Sequence, residues 1–478
     1  MSAEQAIEIF FALLHGVAAV AVTCHVLLNK RDVAAAVGWI GLAWLSPVFG
    51  AGFYFLLGIN RVRRRARRLQ RHPGRRRQAH QAGGTATALG LAPRAGFGSL
   101  EVLELAGRRI TGRATEDGNS VAVLVQGDEA YPEMLSAIAA ARSSIALSTY
   151  IFRGDAVGRA FIAALAEAHR RGVQVRVLVD GIGAGYFYSP AYRLLRRQGI
   201  PAAQFLHSEL PWRMPFLNMR SHKKILVIDG RRAFTGGLNI GAENVLATAP
   251  RHPVRDTHFQ VVGPVVAQIV EAFAEDWQFT MGETLAGPAW FPSLEDAGAV
   301  TVRAITSGPD QDIEKLEFVL MTAINTARSS IKIVTPYFLP DERLSSALAL
   351  AALRGIEVDI AIPEIGNHRV VDWATRAHIR PLLVAGCRLW HAPPPFDHSK
   401  LMTVDAAWSL VGSANWDLRS LRLNFEMNLE IYHTAFAAQL GEVIQGKFGR
   451  RVTIADLDRR PLAGRLRDAA ARLLLPYL

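Results

Sequence analysis

Ser221-His222-Lys223-Lys224-Ile225-Leu226-Val227-Ile228-Asp229 returns 176 residues later as Asp397-His398-Ser399-Lys400-Leu401-Met402-Thr403-Val404-Asp405. Each stretch runs on into a glycine turn, Gly236-Gly237-Leu238-Asn239 in the first case and Gly412-Ser413-Ala414-Asn415 in the second. His, Lys, Asp and Asn therefore fall at offsets 0, 2, 7 and 17 in both copies. With 14 His, 7 Lys and 20 Asp in the chain, one His-x-Lys-x4-Asp frame arises by accident about 0.01 times. Two copies with the same downstream asparagine are a duplicated functional unit. The chain holds 47 Arg against 7 Lys, yet both frames carry Lys. A compact ammonium, rather than a wide guanidinium fork, is what the frame needs.

Offsets of 0 and 2 on a strand place His and Lys on one face, and the glycine turn brings the asparagine back beside them. Two such strands facing each other form a pocket of two histidines, two lysines and two asparagines. Imidazole is a competent nucleophile and a competent acid near neutral pH, while lysine and asparagine stabilise phosphoryl oxygens as charge builds. The pocket suits a phosphodiester. A single histidine of this kind reads as a hydrogen-bonded structural residue, and the duplicated frame reverses that preference. Neither copy has the His/Cys/carboxylate spacing of a zinc or two-metal site, so no metal or other cofactor is expected.

Outward from the frames, the repeat continues. Ala140-Ala-Arg-Ser-Ser-Ile-Ala-Leu-Ser-Thr-Tyr150 answers Thr326-Ala-Arg-Ser-Ser-Ile-Lys-Ile-Val-Thr-Pro-Tyr337, and Arg171-Gly-Val-Gln-Val-Arg-Val-Leu-Val-Asp180 answers Arg354-Gly-Ile-Glu-Val-Asp-Ile-Ala-Ile-Pro363. Strand, alanine- and leucine-rich helix, strand is the βαβ pattern, which predicts a largely parallel sheet covered by helices. The fold expected is α/β, with two similar halves at 98–290 and 291–478 and mixed sheets flanked by helices. Tyr150, Tyr337 and Phe338 end strands, where an aromatic lines a groove or fills the core.

The amino-terminal fifth reads differently. Ile7 to Leu28 carries no charge except Glu8, and Val33 to Ile59 carries none. Each run is long enough to span about 30 Å of hydrocarbon as a helix. With the polar turn Asn29-Lys30-Arg31-Asp32 between them, residues 1–60 are expected to form a two-helix transmembrane hairpin, Pro47 being tolerated in the second helix. A cleaved signal peptide is the alternative for the first run, and it fits the acidic start and the immediate second run poorly. Ten arginines and no acidic residue lie between Arg61 and Arg77, so of the formal +12 only 12 − 10 = +2 remains for the rest of the chain. That tract is expected to place both ends in the cytoplasm by the positive-inside rule, and it serves either to attract anionic head groups or as a topology signal alone. Its localisation weakens the case for a nucleic-acid-binding face on the body. Residues 61–97 are the tract and a linker. Cys24 and Cys387 are the only cysteines, so no disulfide framework is expected. The stretch Arg465 to Leu475 suits an amphipathic helix lying on the membrane or packing on the body.

The two frames resemble the signature of the phospholipase D superfamily, over roughly Gln126 to the C-terminus. That resemblance implies two α/β domains with one active site at their interface, and a metal-free ping-pong reaction through a phosphohistidine. One of His222 and His398 attacks and the other protonates the leaving alcohol, Lys224 and Lys400 serving the phosphate. It implies an orienting carboxylate for each histidine, Glu426 for His222 and Asp256 for His398. Asn239, Asn415 and Ser413 support the pocket, and Asp229 and Asp405 brace the cleft rather than touch substrate. Gly236-Gly237 departs from the Gly-Ser that Gly412-Ser413 keeps. Four further segments are similar to bacterial cardiolipin synthases: Pro47–Gly58, Thr335–Asp341, Gly412–Glu426 and Ala471–Leu478. They imply transfer of a phosphatidyl group from one phosphatidylglycerol to another with release of glycerol, by a multi-pass protein of the bacterial inner membrane with anionic phospholipids as partners. Phosphatidylethanolamine as donor, a hydrolytic phospholipase D, a nucleic-acid phosphodiesterase and a non-enzymatic membrane scaffold are the competing readings.

Overall fold

The structure, a computed structural model, describes residues 3–30, 33–46, 49–55, 96–207, 219–309, 312 and 314–473. The arginine tract 61–77, Pro47, most of the linker and the last five residues lie outside the described residues. The chain forms two compact units, Met1–Pro73 and Gly74–Leu478.

In the first unit, helix Ala3–Asn29 packs against helix Val33–Leu45 and the short helix Phe49–Phe53. Val22, Val26, Ala43 and Tyr54 are their shared buried residues. Among the described residues one helix, Ile7–Asn29, is long and apolar enough to cross a membrane. The second run differs from the expectation of a continuous helix, because its helix stops at Leu45, two residues before Pro47. Proline disfavours helical backbone at the residue before it and lacks the N–H a helix interior requires.

The second unit is built on one sheet of 15 strands. Glu116–Val125, Thr257–Val262, Arg232–Gly236, Ile225–Ile228, Ser144–Thr149, Gln174–Asp180 and Ala202–Phe205 follow one another from the middle to one edge. Val300–Ser307, Glu426–Tyr432, Trp408–Gly412, Leu401–Val404, Ser330–Val334, Glu357–Pro363 and Arg388–Ala392 follow in the same order to the other, where Arg450–Val452 is added. The two series of seven join where Glu116–Val125 pairs antiparallel with Val300–Ser307. At this seam Arg303 is fully buried, 2.6 and 2.8 Å from Glu430 Oε2 and bonded to the backbone of helix Glu101–Thr111.

The βαβ units are parallel as expected: Ser144–Thr149 with Gln174–Asp180, and Ser330–Val334 with Glu357–Pro363. The sheet as a whole is not largely parallel. Each frame strand runs antiparallel to its βαβ unit, and then turns back at Asp229-Gly230 or Asp405-Ala406 into an antiparallel hairpin. All four turn residues have positive φ, 48° to 61°. Turns of this hand match the twist of the hairpin strands they join. Helices Val266–Met281 and Thr434–Gln445 cover one face over a core shared by both series, including Phe259, Trp277, Val302, Leu429 and Phe436. Separate clusters on the other face bury Phe161 and Leu165 in the first series and Leu320 and Leu348 in the second.

Candidate active site

The histidines do not lie inside strands. Residues 222–224 and 398–400 are extended segments leading into Ile225–Ile228 and Leu401–Val404. What fixes them is a crossed pair of backbone contacts. Ser221 bridges Phe425 in parallel, with His222 N–H donating to the Phe425 carbonyl at 2.8 Å. Phe396-Asp397 pairs in parallel with Val254-Arg255, and His398 N–H donates to the Arg255 carbonyl at 2.7 Å. Each histidine segment thus runs beside a carboxylate of the other series.

His222 is buried, and its Nδ1 lies 2.9 Å from the Ser413 carbonyl and 3.0 Å from Glu426 Oε2. Two acceptors assign the proton to Nδ1 and leave Nε2 with its lone pair. His398 Nδ1 lies between an acceptor and a cation, 2.8 Å from Asp256 Oδ2 and 2.9 Å from Lys400 Nζ. The imidazole centroids are 6.3 Å apart with their planes at 78°. Lys224 Nζ donates to the His222 carbonyl at 2.7 Å and Lys400 Nζ to that of His398. The frames thereby bring both histidines, both lysines, Glu426 and Asp256 into one buried cluster.

Its electrostatics follow from burial. Loss of water pushes Lys224 down to about 7 and Lys400 to about 8, Lys224 being lowered further by the charge of Lys400 while Asp256 and Glu426 act upward on Lys400. Both histidines lie below the ordinary imidazole value, first through burial and then through these lysines, His398 the more strongly. Burial raises Asp256 to about 6. For Glu426 burial acts upward too, but His222 and Lys224 outweigh it and hold the carboxyl below its usual value. The cluster keeps neutral imidazoles between cations whose charge a phosphate would restore.

The remaining frame residues stand behind it. Asp229 accepts the backbone N–H groups of Arg142, Ser143 and Ser144 at 2.7 to 3.1 Å, and Asp405 those of Arg328, Ser329 and Ser330 at 2.8 to 3.0 Å. These bonds join each frame to its Ser-Ser-Ile repeat. They outweigh burial to keep both carboxyls below the ordinary value. Asn239 Oδ1 accepts the Ile151 N–H at 3.1 Å, while Asn415 is buried with Oδ1 unpartnered among the described residues. The Gly237/Ser413 difference has a steric cause: a Cβ on Gly237 would stand 2.0 Å from Asp256 Oδ1, whereas the Ser413 hydroxyl donates to the Met427 carbonyl and accepts its N–H. Tyr150 lies edge-on to His222 at 5.0 Å and Tyr337 to His398 at 6.3 Å. Phe338 is in the core.

Sequence reasoning missed three supports. Asp180, at the end of its strand, accepts the Ser221 N–H at 2.7 Å and those of Ile182 and Gly183. Lys223 pairs with Asp276 at 2.9 Å behind the first frame, and Lys447 with Asp397 at 2.5 Å behind the second. The scarcity of lysine was the available signal: four of the seven, 223, 224, 400 and 447, sit in or directly behind the frames. Among the described residues no group of three or more His, Cys, Asp or Glu is arranged to hold a metal ion.

This fold is shared with the phosphatidylserine synthase of Haemophilus influenzae Rd KW20, at a TM-score of 0.62 and 14% identity, over 79% of this chain and 100% of that one. The family model described as cardiolipin synthase, PLD-like domain, matches residues 134–277 and 320–447. Similar proteins include the major cardiolipin synthase ClsA of Bacillus subtilis (strain 168), 35% identical over 94% of this chain and 95% of that one. Cardiolipin synthase A of Pseudomonas fluorescens (strain SBW25) is 32% identical over 98% of each chain. The chain belongs to the cardiolipin synthase family of phospholipase D-like proteins.

Proposed function

We propose that this protein is a phosphatidyltransferase that makes cardiolipin and glycerol from two molecules of phosphatidylglycerol. The observation that carries the reading is the crossed pairing of His222 with Glu426 and His398 with Asp256 at one 6.3 Å pair of imidazoles. Nε2 of one histidine attacks the phosphorus of the donor. The bond from phosphorus to the glycerol oxygen breaks, and the second histidine, which takes up a proton as the bound phosphate offsets the charge of the two lysines, gives that oxygen its proton. The acceptor's glycerol hydroxyl then returns a proton to the second histidine as its oxygen bonds phosphorus and the phosphorus–nitrogen bond breaks. We assign the attack to His222, whose two Nδ1 acceptors leave Nε2 unprotonated, and the proton transfers to His398.

Lys224 and Lys400 neutralise the phosphoryl oxygens, with Asn239 and Asn415 beside them. Glu426 and Asp256 hold the imidazoles, Ser413 supports Glu426, and Asp229 and Asp405 tie the frames to the scaffold. The two strand series act as two phospholipase D-like domains, 98–290 and 291–478, with the site between them. Residues 1–60 anchor the protein as a hairpin in the bacterial inner membrane, and the arginine tract keeps the catalytic body on the cytoplasmic side near anionic lipid. The apolar helix Ile7–Asn29 supports the anchor. Full-length protein given phosphatidylglycerol vesicles is expected to yield cardiolipin and glycerol in equal amounts on thin-layer and enzymatic analysis. Phosphatidic acid without cardiolipin would make it a hydrolase.

A further inference from the structure

The frames, their lysines and their carboxylates occur twice, so the features found on one side alone must serve what the two lipid molecules do not share. Two positions break the symmetry with charge. Two residues before His222 stands Arg220, where the second frame has Phe396; four residues after Asn415 stands Arg419, where the first has Glu243. Phe396 lies with its ring 5.9 Å from that of His398, and Glu243 is engaged by Arg153 at 3.1 Å. The flank of His398 is therefore aromatic, and its carboxylate is already paired.

The flank of His222 is cationic. The Arg220 carbonyl accepts the Phe425 N–H at 2.8 Å, and its guanidinium donates to the Met219 carbonyl at 2.9 Å and hydrogen-bonds Tyr150, the ring set 5.0 Å from His222. Arg419 opens the turn that leads to Glu426, its carbonyl accepting the Leu423 and Asn424 N–H groups at 2.8 and 2.9 Å. Its Nε is buried with no hydrogen-bond partner among the described residues. Burial, and next the charge of nearby Arg220, press Arg419 below the ordinary arginine value, with Asp417 and Tyr150 acting the other way. The Arg220 carbonyl holds Phe425 and the Arg419 carbonyl its neighbour Asn424, so two guanidiniums flank one segment, Arg419 with an Nε–H not engaged among the described residues, an arrangement an anion relieves.

Phosphatidylglycerol as acceptor brings such an anion. Its attacking hydroxyl is one glycerol unit away from its own phosphodiester, so a second negative charge must enter beside the first. Lys224 and Lys400 are already offset by Glu426 and Asp256. Resting on the phosphatidyltransferase reading, we propose that Arg220 and Arg419 form a second anion subsite on the His222 flank, which binds the phosphodiester that is not being transferred and so selects an anionic lipid as acceptor.

The test uses full-length R220Q, R419Q and R419K proteins in phosphatidylglycerol vesicles with two readouts: cardiolipin formation against the surface concentration of phosphatidylglycerol, and exchange of labelled glycerol into phosphatidylglycerol. Exchange uses the same chemistry but an acceptor without phosphate. For R220Q and R419Q the KM for acceptor phosphatidylglycerol is expected to rise about tenfold or more, exchange to fall no more than about threefold, and R419K to lie between. Equal losses in both readouts, or no change in either, would overturn the subsite. Glycerol exchange without cardiolipin in the unaltered protein would instead overturn the reading it rests on.

Discussion

Replacing Glu426 by Gln removes one charge from the most enclosed part of the site and almost no volume. Glu426 is fully buried and its Oε2 stands 3.0 Å from His222 Nδ1. A hydrogen bond to a charged group contributes about 1.5–3 kcal/mol, against about 1 kcal/mol for a neutral one. Its loss when His222 carries a phosphoryl group and a positive ring should lower kcat by about 10- to 100-fold, at 1.36 kcal/mol per factor of ten. The fall should stop short of that for His222→Ala, because the Ser413 carbonyl 2.9 Å away still fixes the Nδ1 proton. A second signature separates this from simple damage. Glu426 holds up the charge on Lys224, which burial has already brought down to about 7. Without it Lys224 loses its proton at lower pH, so the alkaline limb of kcat/KM moves toward acid. Cardiolipin formation by E426Q across pH, together with its melting temperature, checks both. A loss under about threefold, or a deeper loss with an unmoved alkaline limb, would refute the role given to Glu426.

Either His222→Ala or His398→Ala should abolish cardiolipin formation without lowering the melting temperature by more than a few degrees. In the unaltered protein kcat/KM should fall as pH rises through about 7 to 8, where Lys224 and Lys400 lose charge, well before the ordinary lysine value of 10.5. Both groups have lowered values, so the charged form is present below this window and lost above it; a plateau to pH 10 would contradict the assignment. Gly237→Ser puts a Cβ 2.0 Å from Asp256 Oδ1, and the displaced carboxylate should cost about tenfold or more in kcat, measured beside an unchanged circular dichroism spectrum. Lys447→Met leaves buried Asp397 without its 2.5 Å partner and should destabilise the protein by about 3–5 kcal/mol in denaturant unfolding.

The site was legible where chemistry dictates residue identity at fixed spacing. His222, Lys224, Asp229 and their counterparts could be read because each must be that residue at that offset. Which carboxylate meets which histidine could not be read from spacing, since it depends on two long-range contacts, Ser221 with Phe425 and Asp397 with Arg255; family resemblance supplied the pairing. Local pattern likewise showed both βαβ units but not the sheet around them. The antiparallel return is set at Asp229-Gly230 and Asp405-Ala406, whose positive φ values carry no hydrophobic periodicity. In the amino-terminal unit, uniform apolarity from Val33 onward concealed the helix end at Leu45. Gly237 stood out only as a departure until Asp256 was found in the space its missing side chain leaves.

The central claim is that two frames make one reaction centre rather than two. Rapid quenching of the full-length protein with phosphatidylglycerol, under conditions that preserve phosphohistidine, followed by mass spectrometry of its peptides, tests this directly. The account predicts a phosphatidyl adduct at His222, no more than one per chain, absent from His222→Ala. Adducts on His222 and His398 of the same chain, or steady cardiolipin production with no adduct at any histidine, would contradict it.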